Sequence, residues 1–185
     1  MILRSAWVYS RDRLAQASIP DASLESEVIL RKVSGLNRIE FFTSLEVQLS
    51  GYQIKTLDDY IVRRLSGEPL SYLIGIREFY GLDFVVTPSV LIPRQETEHL
   101  VEAVITFSRS LKDPRLVIAD VGTGSGAIAI AIAVNLNDAI VHATDISQRA
   151  LVVAKKNREI HDLTNRVFLH QGDLLDSLPE NIDII

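Results

Sequence analysis

The stretch Asp120-Val121-Gly122-Thr123-Gly124-Ser125-Gly126 predicts more about the fold of this 185-residue chain than any other part of it. The apolar run Leu116 to Ala119 precedes it, and a run of small and aliphatic residues, Ala127 to Val134, follows it. This order is typical of a buried strand, a tight glycine turn and a helix. Glycine has no Cβ, so the backbone of such a turn can approach a ligand closely. The free N–H groups where the helix begins can bind polar ligand atoms. The stretch therefore predicts a site for a nucleoside cofactor.

The spacing of the glycines indicates which cofactor. A dinucleotide-binding turn has the pattern G-x-G-x-x-G, whereas this turn has G-x-G-x-G and an acid, Asp120, two residues before its first glycine. A buried aspartate needs a polar partner, and the amino group of a methionine tail would supply one. The combination resembles the first motif of the S-adenosylmethionine-dependent methyltransferases. The predicted cofactor-binding residues of this turn are Asp120, Gly122, Thr123, Gly124, Ser125 and Gly126.

A second acid, Asp145, follows the apolar segment Ala139 to Thr144, which has the pattern of a short buried strand. The nineteen residues from Gly126 to Asp145 are enough for a helix and a return strand. The second strand of such a unit ends beside the first, where an acid can accept hydrogen bonds from both ribose hydroxyls. Alternatively, Asp145 caps the next helix, although Ser147 could also do so. We predict the ribose contact.

The second half of the chain alternates between strand and helix patterns, which indicates an α/β fold with a parallel, doubly wound, Rossmann-like sheet. The run Ala127 to Val134 alternates alanine with isoleucine and could pass for a strand, but its place after the glycine turn favours a helix. A helical period also covers Gln95 to Leu111, and Asp113-Pro114 is expected to end it. The predicted strands are 116–121, 139–144 and 166–170, and the predicted helices between them are 125–136 and 147–161.

The first seventy residues have the pattern of four helices, the fourth capped by Ser50 and ended by Gly67 and Pro69. Residues 76–92 are rich in aromatic and β-branched side chains around a glycine, which is typical of a β-hairpin. We therefore predict three domains along the chain. These are a helical substrate-recognition domain at 1–72, a β-hairpin linker at 73–94 and a cofactor-binding domain at 95–185.

Composition narrows the classes of function. The chain is 47% hydrophobic and 23% charged, which is ordinary for a globular domain. It has no cysteine, which excludes disulfides and cysteine–zinc sites, and its four histidines have no metal-ligand spacing, so no metal is expected. No apolar run reaches the length of a membrane span, and the start of the chain does not resemble a signal peptide. We expect a cytoplasmic protein with no membrane partner.

The charge distribution argues against nucleic acid as a partner. The net charge is −5, and the first 72 residues carry nine basic and nine acidic side chains, with no basic excess. Proteins that bind nucleic acid usually present a basic patch or stripe. We therefore expect no nucleic-acid partner.

Segments on both sides of the glycine turn resemble the HemK/PrmC family, the protein-(glutamine-N5) methyltransferases of peptide chain release factors. The likeness covers nearly the whole chain, and one departure is Gln95, where the family usually has a second proline. Proline is favourable but not required where a helix begins. The similar segments are Gly67-Glu68-Pro69-Leu70-Ser71-Tyr72-Leu73-Ile74-Gly75, Phe79-Tyr80-Gly81-Leu82, Val90-Leu91-Ile92-Pro93-Arg94-Gln95-Glu96-Thr97-Glu98, Asp145-Ile146-Ser147 and Gly172-Asp173-Leu174-Leu175.

The resemblance implies a reaction and a partner. The cofactor would be S-adenosylmethionine, and the methyl acceptor would be the glutamine side chain in the Gly-Gly-Gln motif of a class 1 peptide chain release factor. Asp173 would lie near the adenine, with Leu174 packing against the ring; the alternative is that Asp173 is a turn residue. Arg94, Glu96 and Glu98 would contact the pocket, although the two acids could instead serve the electrostatics of a helix start.

The chain also departs from the family's pattern. The family's Asn-Pro-Pro-Tyr motif follows the fourth strand, and none occurs in these 185 residues, which end within the expected fourth strand at Asp183-Ile184-Ile185. We therefore expect an incomplete form of the enzyme, with no catalytic residue in this chain and no methylation by the chain alone. Two alternatives remain open: an adenine N6-methyltransferase of nucleic acid, which shares that motif, and a non-catalytic cofactor- or partner-binding module.

Overall fold

A computed structural model describes residues 1–111, 115–179 and 181–185. The chain divides into two units, Met1–Ile74 and Gly75–Ile185. Asp113 and Pro114, which were expected to end a helix, lie outside the described residues. None of the described helices has both the length and the apolar character needed to cross a membrane.

The first unit is helical, as the sequence predicts, but it contains a fifth helix that the sequence analysis did not anticipate. Pro69 was expected only to stop the preceding helix. Instead it precedes a short new helix, where its fixed φ suits the first turn. The N–H of Tyr72 donates to the carbonyl oxygen of Pro69 at 3.0 Å. The helices are α1 (Leu3–Gln16), α2 (Ala22–Ser34), α3 (Arg38–Thr43), α4 (Gly51–Leu65) and α5 (Leu70–Ile74).

Side chains from four of these helices form the core of the first unit. Leu14, Leu30, Phe41 and Ile61 are all fully buried. The indole of Trp7 meets the ring of Phe41 edge to face, with centroids 5.5 Å apart. Burial of large apolar side chains is the main favourable contribution to folding of such a small helical unit.

The second unit begins with an antiparallel hairpin of β1 (Ile76–Phe79) and β2 (Leu82–Val85). Its two turn residues, Tyr80 and Gly81, both have positive φ, at 53° and 74°. This conformation matches the right-handed twist of paired strands. A single 3₁₀ turn (Gln95–Thr97) and α6 (Glu98–Ser110) come next in the chain.

A parallel sheet forms the rest of the second unit, with the strands in the order β3-β4-β5. On its opposite edge β3 also pairs with the last residues of the chain, because the N–H of Ala119 donates to the carbonyl oxygen of Ile184 at 2.8 Å. The predicted fold class, a helical region followed by an α/β fold with a parallel sheet, is confirmed. The elements are β3 (Val117–Val121), α7 (Ala127–Asn135), β4 (Ile140–Asp145), α8 (Gln148–Ile160) and β5 (Val167–Gln171).

The alternating run Ala127 to Val134 is helical, as its position in the chain predicts. Most of α7 is buried, including Ala129, Ile130, Ala131 and Ile132. A helix that is apolar on nearly every side is suited to a buried position. The helix therefore fixes the end of the glycine turn inside the core of the second unit.

Candidate functional site

The glycine turn joins β3 to α7, and all three of its glycines have positive φ, at 77° for Gly122, 57° for Gly124 and 81° for Gly126. A Cβ added to Gly122 or Gly124 would have no neighbouring atom within 4 Å. A Cβ on Gly126 would lie 3.2 Å from Ile130 Cδ1 and 3.3 Å from the Cβ of Ala154. The first two glycines thus border open space that a ligand could use, whereas the third permits close packing of α7 against α8.

Asp120 is the second-last residue of β3, and it holds the glycine turn through hydrogen bonds. It is 7% exposed, and its Oδ2 accepts hydrogen bonds from Thr123 Oγ1 at 2.7 Å and from the N–H of Ala129 at 3.2 Å. Burial raises the pKa of the Asp120 carboxyl, against the effect of these two hydrogen bonds, and the charge of Asp145 adds to the increase. Its Oδ1 makes no hydrogen bond with the described residues. The predicted contact with a ligand amino group stays a prediction.

Asp145 lies beside the turn, at the end of β4. Its Oδ2 accepts the N–H of Gly124 at 2.9 Å, and its Oδ1 accepts the N–H of Ser147 at 2.8 Å. Ser147, not Asp145, is the N-cap of α8, since its hydroxyl accepts the N–H of Ala150. Each carboxylate oxygen retains a lone pair for a further hydrogen bond. The predicted ribose contact is therefore open to Asp145.

A cavity of about 390 Å³ adjoins the turn, which is large enough for part of a cofactor. One wall is the segment Leu91–Arg94, which follows the hairpin, and the other is Gly122–Ser125. Asp120, Gly126, Asp145, Asp173 and Leu174 are not among the residues that line it. The remaining lining residues are Phe79, Thr97, Ala127 and Ile128.

The residues predicted to meet the adenine lie after β5. Asp173 and Leu174 are both exposed, and Leu174 has a positive φ of 46°. Arg94 lines the cavity of about 390 Å³, whereas Glu96 and Glu98 do not. Glu98 instead accepts the N–H of Tyr80 at 3.0 Å and so supports the hairpin turn.

Asn157 is a residue of this region that the sequence analysis missed. It lies in α8 and is fully buried. Its amide bonds to the backbone of Val85 in β2 and to the carbonyl oxygen of Ser125 in the glycine turn. Nothing in the sequence distinguishes an asparagine of this kind from an exposed one in the same helix.

Two of the four histidines are paired. His142 Nδ1 lies 2.8 Å from His170 Nε2 across the neighbouring strands β4 and β5. Burial lowers the pKa of both imidazoles, and the neighbouring His170 lowers that of His142 further. Among the residues that the structure describes, no group of three or more acidic, histidine or cysteine side chains could hold a metal ion.

A second cavity, of about 410 Å³, lies near the start of β3 and the end of α7. Ser108, Leu116, Asn135 and Asp138 are among the residues that line it. None of the predicted cofactor-binding residues lines it. It lies at the ends of β3 and α7 that are farther from the glycine turn. The predicted cofactor-binding residues Gly122, Thr123, Gly124 and Ser125 line the cavity of about 390 Å³ instead.

Models of two protein families match the chain. The PrmC N-terminal domain matches residues 5–75, and the ribosomal protein L11 methyltransferase (PrmA) matches residues 98–185. The two matches fall on the helical unit and on the α/β unit, respectively.

Curated relatives carry the name release factor glutamine methyltransferase. The protein of Coxiella burnetii is 46% identical over 156 residues, which are 84% of this chain and 55% of that protein. The protein of Moorella thermoacetica is 46% identical over 180 residues, which are 96% of this chain and 62% of that protein. This chain thus spans less than two thirds of the length of either relative. A solved ribosomal protein L11 methylase from Lactobacillus delbrueckii subsp. bulgaricus is 31% identical, with a TM-score of 0.41 over 50% of this chain and 46% of that chain.

Proposed function

This chain belongs to the HemK/PrmC family, and we propose that it forms the S-adenosylmethionine-binding part of a release factor glutamine methyltransferase. The methyl acceptor in this proposal is the side-chain amide nitrogen of the glutamine in the Gly-Gly-Gln motif of a class 1 peptide chain release factor. The names of the relatives at 46% identity support this acceptor.

The glycine turn is the observation that carries the cofactor proposal. Gly122 and Gly124 have positive φ and border open space, and an acid lies on each side of them along the chain. The N–H groups of the turn and the start of α7 can approach a ligand without steric clash. These features fit a nucleoside that carries a cationic methionine tail, and S-adenosylmethionine supplies the transferable methyl group when bound.

Each predicted contact has a distinct task. Asp145 would accept hydrogen bonds from the two ribose hydroxyls, and Asp120 would use its Oδ1 to pair with the ammonium of the methionine tail. Asp173 and Leu174 would border the adenine. Gly122, Thr123, Gly124 and Ser125 would form one wall around the methionine part.

The acceptor chemistry places a further demand on the enzyme. An amide nitrogen is a poor nucleophile because its lone pair is delocalised into the carbonyl group. The site must hold this nitrogen in line with the methyl carbon and accept hydrogen bonds from its N–H groups. The Asn-Pro-Pro-Tyr motif that would do so in the family does not occur in these 185 residues. We therefore expect the 185-residue chain by itself to bind the cofactor and to leave a release factor unmethylated.

The helical domain at 1–72 is proposed to recognise the release factor. Several of its large apolar side chains are exposed, among them Ile39, Phe42 and Tyr52. Exposed apolar side chains of this size can serve protein–protein contacts. Its balanced charge favours a protein partner over nucleic acid.

Calorimetry tests the cofactor proposal. S-adenosylmethionine should bind the chain, and NAD should not. Replacing Asp145→Asn removes a charged acceptor, whose hydrogen bonds contribute about 1.5–3 kcal/mol, so the Kd for S-adenosylmethionine should rise about tenfold to hundredfold. Asp138→Asn is the matched control, since Asp138 is an exposed acid distant from the glycine turn, and it should leave the Kd unchanged. Preference for NAD would overturn the proposal.

Two measurements test the expected inactivity and the partner. Mass spectrometry of a class 1 release factor incubated with the chain and S-adenosylmethionine should find no methylated glutamine, and methylation would contradict the expected inactivity. Titration of the chain with a release factor and with double-stranded DNA should detect binding only of the release factor. Binding of DNA alone would favour an adenine methyltransferase.

A further inference from the structure

The buried amide of Asn157 bonds to β2 as a neighbouring strand would. Its Oδ1 accepts the N–H of Val85 at 2.7 Å, and its Nδ2 donates to the carbonyl oxygen of the same residue at 3.0 Å. Directly opposed residues of an antiparallel pair exchange hydrogen bonds in the same two-way manner. The side chain thus satisfies both backbone groups of the last residue of β2.

The same amide also holds the glycine turn. Nδ2 donates its second hydrogen to the carbonyl oxygen of Ser125 at 2.8 Å. One planar group therefore joins Val85 to Ser125, which are forty residues apart in the chain, through a third element, α8. The side chain is fully buried, so water does not compete for these hydrogen bonds.

The two segments that Asn157 joins lead to the two walls of the cavity of about 390 Å³. The chain leaves Val85 and reaches the wall Leu91–Arg94 within six residues, whereas Ser125 itself belongs to the opposite wall. The amide therefore fixes the point from which each wall extends, although Asn157 does not line the cavity.

We propose that Asn157 is a positioning residue that sets the separation of the two walls and thereby the fit of the cavity to the methionine part of S-adenosylmethionine. This inference rests on the proposed cofactor. Ribose and adenine are assigned to Asp145, Asp173 and Leu174, none of which lines the cavity, so the cavity is left for the methionine part.

Asparagine is the residue type that this position requires. The three hydrogen bonds need two donors and one acceptor in one plane, which a primary amide supplies. An aspartate has the same shape but no donor, and the oxygen in place of Nδ2 would face the carbonyl oxygens of Val85 and Ser125 in a buried site. Such unpaired buried polar atoms are strongly disfavoured.

A nearby contact offers a control that distinguishes positioning of the cavity walls from simple attachment of α8 to β2. His161 follows α8, and its Nε2 lies 3.0 Å from the carbonyl oxygen of Asp83 in β2. It contacts the hairpin without reaching the glycine turn. His161→Leu is therefore the matched control for a variant that loosens α8 from β2 alone.

The experiment compares Asn157→Asp and Asn157→Ser with His161→Leu in the 185-residue chain. Calorimetry measures the Kd for S-adenosylmethionine and for adenosine, which lacks the methionine part. Loss of buried hydrogen bonds should raise the Kd for S-adenosylmethionine about tenfold or more in both Asn157 variants, and the Kd for adenosine less than about twofold. His161→Leu should change neither value. Equal losses for the two ligands, or no loss, would overturn the proposal.

Amide hydrogen exchange gives a second test that needs no ligand. In Asn157→Ser the N–H of Val85 should exchange faster, and in both Asn157 variants so should those of Gly124 and Gly126 in the glycine turn. His161→Leu should leave the turn unaffected. If the turn amides keep their protection in the Asn157 variants, Asn157 does not position the turn. A wild-type chain that binds no S-adenosylmethionine would contradict the proposed cofactor, and exchange would then decide on Asn157 independently.

Discussion

Two polar side chains of the helical unit and two of the α/β unit serve different purposes. In the helical unit, Asn37 and Ser50 each close a capping box with a partner three residues away. In the α/β unit, the amide of Asn157 reaches Val85, 72 residues away, and Asp145 reaches Gly124, 21 residues away. Local bonds of the first kind stabilise one helix, whereas distant bonds of the second kind fix the relative position of segments.

This difference predicts which substitutions affect only stability and which also affect a ligand site. A lost cap weakens a helix and leaves other elements in place. A lost long-range bond changes a distance between segments that border the cavity. The contrast is tested most directly by changes of the same chemical kind made once in each unit.

The largest effect on the free energy of unfolding is expected when alanine replaces one of two glycines, one in each unit, that have similar φ. Gly126 and Gly35 have φ of 81° and 75°, but only at Gly126 would a Cβ meet other side chains. The left-handed conformation costs an alanine about 1 kcal/mol, and overpacking adds about 1–3 kcal/mol. Gly126→Ala should lower the free energy of unfolding by about 3 kcal/mol, and Gly35→Ala by about 1 kcal/mol.

Urea unfolding can separate the two glycine variants. Circular dichroism follows both units, and the fluorescence of Trp7, the only tryptophan in the chain, reports on the helical unit. The fluorescence transition should shift for Gly35→Ala alone. Equal costs for the two variants would mean that backbone conformation, and not packing of α7 against α8, determines the penalty.

The next effect concerns a long-range bond inside the helical unit. Arg64 binds Glu25 through two hydrogen bonds, of 2.6 and 3.0 Å, and both side chains are largely buried. These bonds raise the pKa of Arg64. Glu25→Ala leaves the guanidinium without its carboxylate partner and should lower the free energy of unfolding, followed by Trp7 fluorescence, by about 2 kcal/mol.

Glu46→Ala is the control for this pair. The Arg4–Glu46 contact is of similar length, 2.8 Å, but both side chains are exposed, so its loss should cost less than about 1 kcal/mol. Neither variant should change the Kd for S-adenosylmethionine. A weaker affinity in Glu25→Ala would show that the helical unit also shapes the ligand site, and the two units would then not differ in this respect.

A smaller effect is expected at a helix cap. Asn37 accepts the N–H of Glu40 at 3.0 Å, and the Glu40 side chain accepts the N–H of Asn37 at 2.8 Å. Asn37→Ala should cost about 1 kcal/mol, whereas Asn37→Ser should retain most of the stability. Thermal unfolding monitored by Trp7 fluorescence measures both, and a neutral Asn37→Ala would show that the cap does not stabilise this unit.

The smallest effect is a pH dependence of the α/β unit. The pKa values of His142 and His170 are lowered in the folded chain, so the unfolded chain binds more protons as the pH falls through about 6.5. The free energy of unfolding should therefore decrease as the pH falls from about 7.5 to about 5.5. Replacing both histidines with glutamine should flatten this dependence, and the exposed His99→Gln should not. An unchanged slope in the double variant would exclude the pair as its source.

The sequence predicted elements better than it predicted contacts. The pattern of apolar residues located α4 and every strand of the parallel sheet, because α4 buries one side and the strands follow one another as short apolar runs. The helix α5 was missed because Pro69 was interpreted only as a stop. Its role as the residue before a new helix depends on the burial of Leu73 in the next turn, which a proline by itself does not indicate.

In the candidate site, the backbone turn could be predicted from the sequence, whereas the side-chain contacts could not. Spacing alone indicated Gly122, Gly124 and Gly126, since a turn of this shape requires them. Ser147 and Asp145 were both possible caps of α8, and only the geometry assigned the cap to Ser147. Asn157 was not predicted, because its partners lie on elements whose packing the sequence pattern does not encode.

The pairing of Ile184 with β3 places the glycine turn at a reversal of the strand order. β4 flanks β3 on one edge, and the last residues flank it on the other. The chain thus winds outward from β3 in one direction through β5 and then crosses back to begin winding in the other. In open α/β sheets, ligands bind outside the carboxyl ends of the strands at such a reversal. The glycine turn follows the carboxyl end of β3, so its place beside the reversal is set by strand order, and substitutions in the walls of the cavity leave that place unchanged.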